Sequence, residues 1–583
     1  MKIYCVYATH TTKRGTDMKN HVLHEKKFFA NVRELVEWSA EAHGDAPAYS
    51  FRPNPHKPET VTRSFLDVRD DVRALAASLA DMGCGGGSHC ALIGKFSYEW
   101  VLTYLAVLSV GGVLVPLDRD WAAEDLADTV KKADAKFLFA DEDIAEKAKV
   151  IASSVRLARK PVMLQSKEEK GSLASLVEAG KEIFVKAPEK YFEARISPDK
   201  LSLLVFTSGT TGKGKGVMLT QNAVLSDLSS VIPYIDFGKK TVGVLPPHHT
   251  YGSSVMIIGH MMIGAEVYVS AGIRYVAKEL KEQKPEHLVL VPLYLETFYR
   301  KIQATLKEQG KEDLVRRMIK LSGGMRRVGI DVREKLFSAI RAAFGGKVKT
   351  IISGGAPINP EILAFYEAIG ISTLNGYGIT ECAPIVAVNR SMNVVKDSVG
   401  NVLDVNRVKI RDANEDGEGE ICVKGQNVML GYYKDEQATF DAFDADGYFK
   451  TGDYGKLTED GVLYITGRKK NLIILSNGKN VYPEEIENAL IATPGVLDIV
   501  VYEGQSKRGV SNNAIVAEIY PDKDYFEANE IEDLYAYFKE HIDSYNKTAV
   551  PYKKIGLLRV RDEEFPKNTL RKIMRFKIDM TID

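Results

Sequence analysis

Sulfur chemistry, a one-signed charge and a membrane-length apolar run are all scarce or missing in this chain. Five cysteines, Cys5, Cys84, Cys90, Cys382 and Cys422, are scattered over 583 residues with no CxxC pair. That pattern predicts a reducing compartment and argues against a disulfide framework or structural zinc. Cys84 and Cys90 flank "GGGSH", but with His89 they give three ligands where a zinc site wants four. Lysine plus arginine equals aspartate plus glutamate at 78 each, so no basic stripe speaks for nucleic acid. The most apolar stretches, 101–117 and 253–269, are short for a span and interrupted by glycine. They read as buried core. No apolar leader is visible in the polar start, and a cytoplasmic protein with at most peripheral membrane contact is expected.

What is present alternates. Residues 64–82 put Phe65, Val68, Val72, Leu75 and Leu79 on one helical face, and Ser64 with Asp67 resembles a capping box. Short apolar runs at 111–118, 135–142, 201–208, 240–247, 265–270, 287–293 and 348–355 suit strands buried on both faces of a sheet. The fold class is α/β. After about residue 396 the texture changes to hairpin-like segments. There "DANEDG" imitates a calcium loop, yet the position that should carry the bidentate glutamate is Val423, so it reads as an acidic turn.

The stretch "FTSGTTGKGKGVMLT" (206–220) is glycine- and hydroxyl-rich. Gly209, Gly214 and Lys215 fit a Walker loop, but Gly216 stands where a magnesium-binding hydroxyl belongs. The residues that follow look like a strand, and Thr220 looks like the N-cap of a later helix. A phosphate role of another kind survives, because glycines let backbone N–H groups approach oxygens.

This loop resembles the signature of the adenylate-forming superfamily, which holds acyl-CoA synthetases, luciferases and peptide-synthetase adenylation domains. Six further segments resemble the family's motifs in the family's order: "VLPPHHTYG" (244–252), "SGGAP" (353–357), "NGYGITE" (375–381), "YFKTGDYG" (448–455), "GRKKNLIILSNGKNVYPEEIE" (467–487) and "FPKNTLRKIMR" (565–575). The likeness covers nearly all of the chain after about residue 28. It implies a large N-terminal domain (28–468) of mixed and parallel sheets with a β-barrel-like part, following an extension (1–27). It also implies a small mobile α+β lid domain (469–583).

The resemblance implies roles as well. Thr207, Ser208, Gly209, Thr210, Thr211, Gly212 and Lys215 would cradle the ATP β- and γ-phosphates. Gly355, Ala356 and Pro357 would face adenine, as would Asn375, Gly376, Tyr377 and Gly378. Thr380 would donate to phosphate and Glu381 would bind Mg²⁺. Asp453 would hold the ribose with support from Arg468. His249 would stand beside the substrate carboxylate, and Lys572 would be the catalytic lysine at the α-phosphate. Lys470 would be the hinge, and Gly478 would leave room for the pantetheine arm of coenzyme A. The family's proline before the loop lysine is Gly214 here, which should loosen the loop, and its glycine before the catalytic lysine is Arg571.

The long-chain fatty acid–CoA ligase branch is the most similar. The run after "VLPPHHTYG" carries no acid for an α-amino group, and its methionines suit either an alkyl chain or the packing of a core helix, so the fatty acid rests mainly on the resemblance. The expected reaction is ATP- and Mg²⁺-dependent activation of a fatty acid to acyl-AMP and transfer to coenzyme A. An acyl carrier protein as acceptor, or another carboxylic acid as substrate, stays open. A non-catalytic binding module is disfavoured by the intact Glu381, Asp453, Arg468 and Lys572.

Overall fold

The computed structural model describes residues 21–166, 171–207, 214–475, 480–505, 511–567 and 573–582, with 511–513 described for their backbone only. The helix Phe65–Asp81 starts as its sequence demands. Ser64 Oγ accepts from Asp67 N at 3.1 Å, and Asp67 Oδ2 accepts from Ser64 N at 2.8 Å. Its expected face, Phe65 to Leu79, is buried. The apolar run 101–117 divides into the helix Tyr98–Ser109, buried on every side, and the strand Val113–Leu117. Burial all round is why that run shows no helical periodicity. No helix among the described residues is long and apolar enough to cross a membrane.

Six sheets organise the described residues. The largest runs Gly431–Tyr432, Lys215–Thr220, Leu201–Thr207, Val113–Leu117, His89–Ile93, Phe137–Ala140, Val162–Met163. It is parallel from Leu201–Thr207 onward and antiparallel at the edge that precedes it. A second, five-stranded sheet centres on Thr350–Ser353 and Ser372–Gly378. A third joins Pro47–Phe51 to Glu266–Val269 and Lys240–Gly243. Where the barrel-like part was expected, Asn406–Arg411, Gly419–Gly425, Phe449–Leu457 and Leu463–Arg468 form a four-stranded antiparallel sheet. The acidic turn lies in its first hairpin, where Asn414 Oδ1 accepts from Asp416 N and Glu418 N.

Beyond residue 472 the apolar clusters are separate from those before it, although the Tyr482 ring meets that of Tyr454 with 6.0 Å between centroids. Two apolar clusters, one around Ile486, Val501, Ile519 and Phe538 and one around Tyr502 and Phe565, draw all their members from 473–582. The three clusters before them end at Ile465. At the other end the extension is anchored: Leu23 N donates to Pro233 O at 2.8 Å, and Lys26 pairs with Asp404. Cys84 and Cys90, weighed above as zinc ligands, bring their sulfurs within 3.0 Å.

The apolar run 253–269 is core, as expected, but contains a π-helix, Ser254–Gly259. Directly after it, His260 is fully enclosed. Its Nδ1 lies 2.7 Å from Val255 O and its Nε2 lies 2.9 Å from Nε2 of the equally buried His287. A neutral His260 that donates Nδ1–H has only an acceptor left at Nε2, so His287 donates across the pair. Desolvation holds His260 down at about 4 and pushes His287 the same way. The unfolded chain therefore binds more protons than the folded one between about 6.5 and 4, and stability falls as pH falls through that window. The buried Glu487, pushed up to about 7 by desolvation, works in the opposite direction. We expect wild type to lose on the order of 3 kcal/mol relative to His260→Phe between pH 7 and pH 4. Parallel melting-temperature curves for the two proteins would refute this.

Candidate functional site

The strand Leu201–Thr207 turns back as Lys215–Thr220 in antiparallel register, with Thr207 opposite Lys215. The glycine-rich loop thus closes a hairpin, which is why the Walker pattern fails: a Walker loop opens into a helix. The helix comes later, at Gln221–Val231, capped by Thr220 Oγ1 accepting from Ala223 N. Gly214 has a steric reason. A Cβ there would sit 2.7 Å from the Thr207 carbonyl oxygen, so the chain passes where a side chain would not fit without a shift. Lys132 Nζ donates to Gly214 O at 3.0 Å, tying the loop's end to a neighbouring helix. Ser208, Gly209, Thr210, Thr211 and Gly212 lie outside the described residues.

Glu381 sits on the short turn Thr380–Cys382, which also carries Thr380. Its carbonyl accepts from Met429 N at 2.8 Å, and its Oε1 accepts from Tyr432 Oη at 2.9 Å. Tyr432 is held by the two-residue strand that pairs with Lys215–Thr220, and Lys215 Nζ lies 4.5 Å from its ring centroid. Tyr432 therefore touches both Lys215 and Glu381. Lys215 and Lys450 face an open groove of about 440 Å³ that Tyr432, Asp435 and Asp441 also line. Behind the turn, the fully buried Asp227 accepts from Ile385 N at 3.2 Å and from Asn427 Nδ2 at 3.0 Å. Burial raises the Cys382 thiol, and the carboxylates of Glu381, Asp227 and Asp453 around it raise it further.

Across this turn, Asp453 accepts from Tyr377 and Arg468. Tyr377 Oη donates to Oδ2 at 2.6 Å and Arg468 Nε pairs with Oδ1 at 2.7 Å. Asp453 and Arg468 are register partners on antiparallel strands. The Asp453 backbone N–H is fixed by Thr451 Oγ1 at 3.0 Å. Burial, then Asp453, raises the Tyr377 hydroxyl well above its ordinary value and keeps it a donor. Gly376 and Gly378 share the Tyr377 strand, and a Cβ on Gly378 would lie 2.3 Å from the Pro384 carbonyl. Asn375, at the same strand, donates Nδ2 to Ser398 O at 3.3 Å. Gly355, Ala356 and Pro357 form an exposed turn after Thr350–Ser353.

His249 immediately precedes the helix Thr250–Ser253, and its carbonyl accepts from Ser253 N at 2.8 Å. Its neighbour His248 faces an acid: Nε2 lies 3.6 Å from Asp118 Oδ2, while burial lowers its pKa. Lys470 is on the turn Lys469–Asn471; desolvation lowers its pKa, and the Arg468 and Arg575 charges add to this. Gly478 and Lys572 lie outside the described residues.

Tyr432, Lys450, Asp118 and the Asp227–Asn427 pair were not singled out from sequence. Lys450 lies within the quoted "YFKTGDYG"; the others depend on pairings between distant segments.

Among the described residues no cluster of three or more His, Cys, Asp or Glu side chains is placed to hold a metal. A single carboxylate such as Glu381 fits Mg²⁺ when phosphate oxygens and water supply the other ligands. Further along lies a closed apolar cavity of about 30 Å³ between Leu228–Ile235 and the Tyr251–His260 face.

The family model described as AMP-binding enzyme matches residues 36–433. A long-chain-fatty-acid–CoA ligase of Mycobacterium bovis, FadD15, is 30% identical over 454 residues, spanning 75% of this chain and 74% of that protein. Long-chain-fatty-acid–CoA ligase 5 of Mus musculus is 30% identical over 554 residues, 88% of this chain and 78% of its own. Among solved structures, ATP-bound MatB from Rhodopseudomonas palustris superimposes with a TM-score of 0.74 at 22% identity, covering 94% of this chain and 97% of that one.

Proposed function

The chain belongs to the AMP-binding enzyme family, and on that premise we propose that it activates a long-chain fatty acid with ATP and passes the acyl group to the thiol of coenzyme A. As an AMP-forming acid–CoA ligase it works with ATP, Mg²⁺ and CoA. In the first step a carboxylate oxygen bonds to the α-phosphorus and pyrophosphate leaves. In the second the thiolate attacks the acyl carbonyl and AMP leaves.

The observation that carries the reading is the gathering of Asp453 and Lys215, from two separate sheets, around the turn that carries Glu381. Asp453, an acceptor-only carboxylate held by Tyr377 and Arg468, is the kind of group that suits ribose hydroxyls. Glu381, oriented by Tyr432, offers its other oxygen to Mg²⁺, which when bound offsets phosphate charge. Lys215 and Lys450 add cations on the groove beside it. Two anions must meet for adenylation, so fixed positive charge is what the site needs. The acid's apolar character is supported by the cavity, whose wall is Leu, Val, Ile, Phe and Gly apart from Tyr251 and His260. Lys572 is proposed to stabilise the α-phosphate in this step, Lys470 to act as the pivot between a main body (28–468) and a lid (469–583), and Gly478 to admit the thiol arm.

The test is pyrophosphate release across saturated acids, with CoA or an acyl carrier protein as acceptor. Release with long-chain acids and thioester formation on CoA are expected. A thioester only on the carrier protein would move the acceptor, and silence with every acid would refute the substrate. Lys572→Ala is expected to lose pyrophosphate release yet still form thioester from supplied acyl-adenylate. Equal loss of both steps would remove Lys572 from the first.

A further inference from the structure

The apolar cavity has walls of two kinds. Leu228, Val231, Ile232 and Ile235 come from the segment that starts at the loop side, and Tyr251, Val255 and Gly259 come from the helix that starts at His249. Aliphatic side chains can change rotamer when a ligand enters, and in the state described the cavity has room for about one water molecule. An alkyl chain must therefore push these walls apart. His260 cannot yield in the same way. Both its ring nitrogens are engaged, Nδ1 with Val255 O at 2.7 Å and Nε2 with His287 at 2.9 Å, and the two rings lie within 17° of coplanar. Swinging His260 aside would strand buried polar atoms on both histidines, a cost of about 1–3 kcal/mol for each group.

Its position gives this rigidity a direction. His260 follows His249 by eleven residues along nearly continuous helix, about 16 Å at 1.5 Å per residue. The cavity's helical wall, Tyr251, Val255, Gly259 and His260, runs along that axis away from the end where His249 sits.

We propose that His260, pinned by Val255 and His287, is the fixed end of the acyl pocket and sets the longest fatty acid the enzyme accepts. This rests on the fatty-acid reading above. The methyl end of the acid meets the carbon edge of a ring whose nitrogens are already satisfied, so the stop is steric and apolar. Gly259, the preceding residue, tunes the same end. A Cβ there would meet Leu228 Cδ2 at 3.7 Å and Ser254 O at 3.8 Å, both ordinary contacts, so alanine fits and narrows the cavity.

The experiment is the chain-length profile of kcat/KM, from butanoate to long saturated acids beyond the wild-type optimum. It compares wild type, His260→Ala, the double variant His260→Ala/His287→Ala and Gly259→Ala. The double variant removes both polar partners at once, so no histidine is left buried without one. Thermal melts and KM for ATP report on the fold. A methylene in an apolar pocket is worth about 10- to 200-fold in discrimination. His260→Ala, or the double variant if the single one fails to fold, is expected to raise the ratio for acids longer than the wild-type limit by at least about tenfold. Gly259→Ala shifts the optimum to shorter acids. KM for ATP stays unchanged. Unaltered profiles in folded variants would overturn the end-stop and leave the fatty-acid reading standing. Absence of release with any acid in wild type would overturn both.

Discussion

Asp453→Ala lowers ATP-dependent pyrophosphate release by about 10²–10³-fold, with most of the loss in KM for ATP. The size follows from what one carboxylate holds. Tyr377 Oη, at 2.6 Å, and Arg468 Nε, at 2.7 Å, both lose their acceptor. The Tyr377 hydroxyl is buried, so it is left unsatisfied at a cost of about 1–3 kcal/mol. The proposed ribose contacts vanish with it, and charge-assisted hydrogen bonds are worth roughly twice neutral ones. Tyr377→Phe removes only a donor and keeps the carboxylate available, so a loss of about tenfold or less is expected. Saturation kinetics in ATP for both variants checks the order. A change under threefold in Asp453→Ala would mean that the ribose is held elsewhere.

Glu381→Gln is expected to cost about a hundredfold and to raise the Mg²⁺ concentration needed for half-maximal rate. Glutamine keeps the shape and can still accept from Tyr432, whose hydroxyl now meets Oε1 at 2.9 Å. What it lacks is the negative charge that a hard divalent cation selects. Tyr432→Phe leaves that charge but frees the carboxylate to turn, so a shift in the same direction and of smaller size should follow. Magnesium titrations at saturating ATP separate the two effects. An unchanged half-saturation point in Glu381→Gln would detach the residue from the metal.

Much of this arrangement was legible from the sequence because the signals were local. The capping box at Ser64, the N-cap at Thr220 and the strand after Lys215 each depend on residues within a few positions, and each is found where expected. The π-helix at 254–259 was not legible, since an apolar run gives no hint of a widened turn. Gly214 was legible as a departure, and the chain's close pass by the Thr207 carbonyl adds a steric reason for the missing side chain. Tyr432 and Asp227 escaped notice for a different reason. Their contacts join residues 51 and 200 positions apart, through Glu381 and Asn427, and no periodicity encodes such pairings.

The separation of the apolar clusters at residues 465–473 has a thermodynamic consequence. A chain whose cores share no members need not melt as one unit, and a single free energy of unfolding then has no defined meaning. Contacts between the two parts include the hydrogen bond from Lys307 Nζ to Asn529 Oδ1, which salt and water weaken more readily than packed hydrocarbon, and the meeting of the Tyr454 and Tyr482 rings. Calorimetry should resolve two heat-absorption peaks, and nucleotide should raise the one belonging to the part that contains Asp453 and Glu381. Stability measured by one global probe would then report whichever part that probe sees.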